Sequence, residues 1–111
     1  MAHSEAIYQV IVAHEANDRM RDHFEFLARV SIHGANKLLD GLLKDIRSLS
    51  IDPLRYPVYH RPYLPSGKYH YILSNKRYRI VYQIMDNQVF VDDIQDCRQD
   101  DDQNIINPST T

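Results

Sequence analysis

The feature that most constrains this chain is a pair of β-branched and aromatic runs, 78–85 (Tyr-Arg-Ile-Val-Tyr-Gln-Ile-Met) and 88–94 (Gln-Val-Phe-Val-Asp-Asp-Ile), separated only by Asp86-Asn87. Aspartate and asparagine tolerate the positive φ of a tight hairpin turn, so the two runs read as neighbouring antiparallel strands. Turn length fixes the pairing: Met85 with Gln88, Ile84 with Val89, Tyr82 with Val91 and Ile80 with Asp93. One face then carries Ile80, Tyr82, Ile84, Val89 and Val91 and must be covered. The other carries Arg79, Val81, Gln83, Phe90, Asp92 and Ile94, a mixed surface that can stay open.

The rest of the chain supplies the cover. Residues 7–13 (Ile-Tyr-Gln-Val-Ile-Val-Ala) are apolar nearly throughout and read as a strand covered on both faces or nearly so. Over 16–29, Met20, Phe24 and Leu27 recur at helical spacing. Ser31 is positioned to cap a second helix, with Ala35, Leu38, Leu39, Leu42, Leu43, Ile46 and Leu49 as its apolar stripe and a break expected around Ile32 to Gly34. So short a connection makes the pair an antiparallel hairpin. Asp52-Pro53 ends it, because the residue before proline is driven out of the helical region.

Pro53, Pro57, Pro62 and Pro65 then space an irregular connection, and 68–73 reads as a strand with Tyr69, Tyr71 and Leu73 on one face and Lys68, His70 and Ile72 on the other. Ser74-Asn75-Lys76 can turn it into the hairpin. The expected fold is α+β, in the order β-α-α-β-β-β: an N-terminal strand and a three-stranded antiparallel meander in one sheet, with a helical hairpin on one face. The expected organisation is one domain over 1–98 and a flexible polar tail over 99–111, anchored at most by Ile105-Ile106.

Composition narrows the functional classes. No apolar stretch approaches the roughly 20 residues of a membrane span, and no basic region followed by an apolar run opens the chain, so a cytoplasmic protein is expected. Cys97 is the only cysteine, which excludes an internal disulfide and fits a reducing compartment. The histidines are scattered and Asp100 to Asp102 form a consecutive run, so neither a metal site nor a cofactor is expected. The formal charge of −2 hides a segregation: from Pro53 to Met85 there is no acidic residue, while Arg55, Arg61, Lys68, Lys76, Arg77 and Arg79 fall there with His60, His70 and seven of the eight tyrosines. Such a stretch suits an anionic partner.

With these residues in view, the chain resembles the RelE/ParE superfamily of bacterial type II toxins. The resemblance covers 7–100 and is strongest at Tyr78-Arg79-Ile80-Val81-Tyr82 and at Arg98-Gln99-Asp100. It implies a growth-inhibiting toxin held inactive by a cognate antitoxin, in a homodimer or a toxin–antitoxin hetero-oligomer. It also implies one of two targets. ParE-like members bind and poison DNA gyrase, whereas RelE-like members cut messenger RNA in the ribosome with basic residues and a tyrosine on the open face.

RNA cleavage through a 2′-hydroxyl needs a base, a cation for the phosphate and an acid for the leaving oxygen. Arg79 is the candidate cation, although Asp92 lies diagonally across from it in the expected register and would make a structural ion pair. His70 is the candidate base, with Lys68 on the same face and Arg98 as a second cation near the strand end, although lone histidines are more often structural. Histidine and isoleucine stand where RelE-like enzymes carry lysines, and no tyrosine follows Tyr82. These departures favour the gyrase-binding branch over the mRNA interferase. Arg55, Tyr59, Arg61, Tyr63 and Arg77 remain as a candidate surface for a substrate or partner.

Overall fold

The computed structural model describes residues 7–98, in which the chain forms β1 (Gln9–Val12), α1 (His14–Ala28), α2 (Ile32–Ser48), a 3₁₀ turn (Pro53–Arg55), β2 (Tyr69–Ser74), β3 (Tyr78–Met85) and β4 (Gln88–Asp96). The expected order is the observed one, in a single sheet ordered β1-β4-β3-β2. Strands β2, β3 and β4 form the antiparallel meander, and β1 joins β4 in parallel. The tail expected over 99–111 lies outside the described residues.

The helices form where the periodicity places them, except that the break expected around Ile32 to Gly34 falls earlier, at 29–31: the Ser31 cap starts α2 at Ile32, and Gly34 lies inside its first turn. Ser31 Oγ accepts the Gly34 N–H at 2.9 Å, satisfying one of the orphan donors at the start of α2. The stripe of α2 meets the sheet: Ala35, Leu38, Leu42, Ile46 and Leu49 are buried, with Ala16 and Met20 of α1 beside them and Ile80, Tyr82, Val89 and Val91 opposite. Leu42, Leu49 and Ile80 are at 0% exposure, and burial of this kind contributes roughly 1.5–3 kcal/mol per side chain.

Two further expectations change. Strand β1 is an edge strand, and with helices on one face only its other face stays accessible. Gln9 is exposed and Val10, Ile11 and Val12 are half-buried, rather than covered on both faces. The second change is a β-bulge. The pairing follows the turn through Met85↔Gln88, Ile84↔Val89 and Tyr82↔Val91, then shifts, so that Val81 pairs with Asp93 and Ile80 with Ile94 instead of Asp93. The physical cause is the spacing Val89, Val91, Ile94, which strict alternation cannot bury on one face. An extra residue in β4 puts Ile94 into the core at 0% exposure, not on the open face.

The connection after α2 is better ordered than its prolines suggest. After the 3₁₀ turn it runs antiparallel to the outer edge of β2, with a Val58↔His70 bridge, Tyr59 N–H to Tyr69 O at 2.7 Å and Tyr71 N–H to Pro57 O at 3.1 Å. Its root is held by the Tyr82 hydroxyl, which donates to Pro53 O at 2.6 Å from a fully buried position. Burial pushes the Tyr82 phenol well above its ordinary pKa, so it stays a donor.

Tyr82→Phe leaves the buried Pro53 carbonyl without that donor and is expected to cost about 1–3 kcal/mol with an unchanged denaturant slope, read by urea unfolding. A variant as stable as the parent would remove the hydroxyl from this role. The β2–β3 turn offers the opposite sign. Asn75 and Lys76 take φ 55 and 60, and Arg77 N–H donates to Ser74 O at 3.1 Å. A lysine pays for its Cβ in this left-handed region, so Lys76→Gly should raise stability by about 0.5–1 kcal/mol. The melting temperature would rise by several degrees, and a lower one would contradict this account of the turn.

Candidate functional site

Alternation along β3 turns Arg79 and Val81 to the face away from the helices, as the sequence leads one to expect. That face is not left open. Because Val58 pairs with His70, Tyr59 points to the opposite side, over the sheet. Tyr59 and Val81 are buried at 5% and 4% exposure although both stand outside the main core. Residues 57–67 thus form a strap across part of the sheet.

The strap and sheet make a ladder of rings and cations. The Arg79 guanidinium lies 5.5 Å from the Tyr59 ring centroid and 5.6 Å from that of Tyr71, and those two rings meet edge to face at 6.1 Å. The Arg61 guanidinium lies 4.5 Å from the Tyr59 ring. Gln95 Oε1 receives both the Arg79 Nη1 donor at 3.0 Å and the Tyr59 hydroxyl at 3.2 Å. Stacking of this type is worth about 0.5–2 kcal/mol per cation. Tyr71 and Gln95 are residues that the sequence reading missed. The bulge explains Gln95: it puts Arg79 opposite Gln95, and Asp92 instead accepts from Gln83 Nε2 at 2.7 Å. The expected diagonal contact of Arg79 with Asp92 is therefore replaced by Gln95.

His70 stands on the other face. It pairs with Tyr82 across β2 and β3, is 8% exposed, and stacks on the Tyr82 ring at 5.8 Å between centroids. Its Nδ1 is 2.9 Å from Tyr56 O, a contact in which the ring nitrogen must donate. The structure does not bring His70 and Arg79 together. The expected alternation of β2 contained this outcome, for Ile72 and His70 share the face that pairs with Ile80 and Tyr82.

The other candidates are spread around the sheet. Lys68 is exposed just before β2, its Nζ 5.6 Å from the Tyr69 ring centroid. Arg98 is exposed beyond β4, and its backbone N–H donates to Asp96 Oδ1 at 3.1 Å. Arg77 grips the same carboxylate in a bidentate pair, Nε to Oδ1 at 3.2 Å and Nη2 to Oδ2 at 2.8 Å. Burial opposes the charge on Asp96, but the Arg77 hydrogen bond and the Arg98 N–H together hold its pKa below the ordinary aspartate value. Arg77 is thus committed to a structural clip. Arg55 lies over the Tyr56 ring at 4.7 Å, with Nη1 donating to Ile51 O at 3.2 Å and Nη2 to Tyr56 Oη at 2.8 Å. Tyr63 projects from the strap at 77% exposure.

Two cavities flank the strap. One, of about 190 Å³, lies between it and the sheet, with Tyr63, Tyr69, Asp92 and Asp93 in its wall. The other, of about 380 Å³, is lined by Tyr59, His60, Arg61, Leu64 and Ser66, among others. Burial, and then Asp92 beside it, raise the Tyr69 phenol above its usual pKa, the direction that disfavours a tyrosinate. Among the described residues no group of three metal-ligating side chains gathers, and no helix is long and apolar enough to cross a membrane.

Comparison with known proteins agrees with this architecture. A solved structure described as the chromosomal ParDE TA system from P. aeruginosa superposes with a TM-score of 0.66 over 83% of this chain and 98% of that one, at 8% sequence identity. Similarity at that identity concerns the fold. No curated protein matches the chain. The family model described as the ParE toxin of the type II toxin-antitoxin system, parDE, matches residues 10–101, most of the sequence. On that match the chain belongs to the ParE toxin family of type II toxin-antitoxin systems.

Proposed function

We infer that this toxin arrests growth in the cytoplasm by binding and poisoning DNA gyrase, without a reaction of its own, and is silenced by a cognate antitoxin. The observation that carries the reading is the separation of His70 from Arg79 by the thickness of the sheet, with His70 packed on Tyr82 and donating to Tyr56 O. Cleavage of RNA needs a base and a phosphate-binding cation around one reacting group. Here the candidate cation is held between two tyrosines and the candidate base faces the core.

A second observation concerns the tip of the helical hairpin. Phe26, Val30 and Ile32 are exposed at 54%, 82% and 60% around the α1–α2 turn. Apolar side chains gathered at one end of a small domain are characteristic of a protein-binding surface.

The experiment expresses the chain without antitoxin and follows DNA and protein synthesis by pulse labelling in the first minutes. DNA synthesis falling first is the expected result, with inhibition of supercoiling by purified gyrase. Translation falling first would overturn the reading. The discriminating variant is His70→Asn, which can keep a donor towards Tyr56 O but has no basic nitrogen near neutral pH. It should remain toxic at a stability loss of about 1 kcal/mol. A folded, non-toxic His70→Asn protein would make His70 part of a reaction.

A further inference from the structure

The sheet has two edges, and the strap covers only the one formed by β2. At the other edge, Gln9 N–H donates to Asn87 O at 3.0 Å and Ala13 N–H to Val91 O at 2.8 Å, so Gln9, Ile11 and Ala13 turn their backbone groups towards β4. Val10 and Val12 turn theirs outward, and among the described residues no hydrogen-bond partner meets them. The free stretch has clear limits. The next outward donor, Tyr8 N–H, is taken by Ser50 O at 2.8 Å, and α1 begins at His14.

This edge carries few of the features that keep such strands from pairing. No charged residue and no proline occurs from Ile7 to Ala13, and β1 follows β4 without a bulge. Its shortness is the one guard. The surroundings are apolar: Val10 and Val12 lie towards the helices, and Ile11 stands beside Phe90 on the opposite face, both half-buried. Ile7 and Ile51, on either side of the Tyr8–Ser50 bond, are exposed at 71% and 54%.

We propose that two copies of this chain pair β1 to β1, antiparallel, about a twofold axis at Ile11. An identical strand is the occupant because it answers the free groups one for one. With the axis at Ile11, Val10 lies opposite Val12 of the second copy, and each outward N–H meets an outward C=O. An axis at Val10 would set Val12 against Tyr8, whose N–H is already engaged, and an axis at Val12 would set Val10 against His14, which is helical. Ile11 then faces its own counterpart in the close, non-hydrogen-bonded position, which an uncharged residue tolerates and a charged one does not. Phe90 and Ile11 of both copies join in one apolar row across a continuous sheet. The hairpin tip stays clear of this contact, and the pairing does not rest on the gyrase reading.

The test is sedimentation of the full-length chain, without antitoxin, over rising protein concentration. So short a contact gives a weak dimer, with an expected Kd on the order of 100 μM. Ile11→Lys and Ile11→Glu each set like charges across the axis and should weaken association about tenfold. An equimolar mixture of the two should recover it, because residue 11 meets residue 11. Lys44→Glu, on the exposed side of α2, should leave the equilibrium unchanged. Thermal melts check that the Ile11 variants fold. If they do not, amide exchange of the parent decides, since the Val10 and Val12 N–H groups should exchange more slowly at high concentration than at low. A chain that stays monomeric up to about 1 mM overturns the proposal. So does a dimer that both Ile11 variants leave intact, a mixture that fails to recover, or exchange at Val10 and Val12 that ignores concentration.

Discussion

The hydrogen bond from the Tyr82 hydroxyl to Pro53 O, 2.6 Å long and fully buried, is the interaction on which the far side of the molecule depends. It joins the middle of the sheet to the first residues after α2, at a corner where the backbone is costly. Asp52 takes φ 50 and ψ 57 directly before a proline, a left-handed conformation that costs a non-glycine residue on the order of 1–3 kcal/mol. The corner persists because Pro53 is fully buried, Tyr82 satisfies its carbonyl and His70 holds Tyr56 O one turn later. Everything from Pro57 to Gly67 is aimed by that root.

From the root the strap follows the edge of β2 and changes what the sheet presents. It pairs with Tyr69 and Tyr71 through backbone groups that an edge strand would otherwise leave exposed, which also blunts that edge against pairing with other chains. It lays Tyr59 over Val81 and Arg79, so the face away from the helices acquires a small layer of its own. The arginine most suggestive of phosphate chemistry is thereby built into a stack with Tyr59, Tyr71 and Gln95.

Much of the fold was legible in the chain because each element rests on local rules. The spacing of Leu38, Leu42, Ile46 and Leu49 made α2, Ser31 capped it, and Asp86-Asn87 turned β3 into β4 with the expected pairing for the first four positions. What escaped was the bulge, although its trace is present: Val89 and Val91 are two apart, Val91 and Ile94 three. The candidate site was legible in its residue types and much less in its grouping. Arg79, Tyr59 and Arg61 do converge, whereas His70, Lys68, Arg98 and Arg77 lie on other surfaces or in other contacts. Tyr71 and Gln95 enter only through cross-strand register, which is a relation between strands and not a property of either.

The amino-acid order by itself determined which residues are helical, which are extended, where the turns fall and which face of each element is apolar. These follow from backbone sterics and from side-chain periodicity within a few residues. Tertiary structure decided which strand edge β1 would take, how one extra residue in β4 would re-aim Ile94 and Gln95, and that a proline-spaced connection would close over the sheet. Those outcomes depend on packing between segments far apart in the chain. There the burial of Tyr82 and Ile94 outweighs local preferences such as the strain at Asp52, and no short window of sequence contains both sides of the balance.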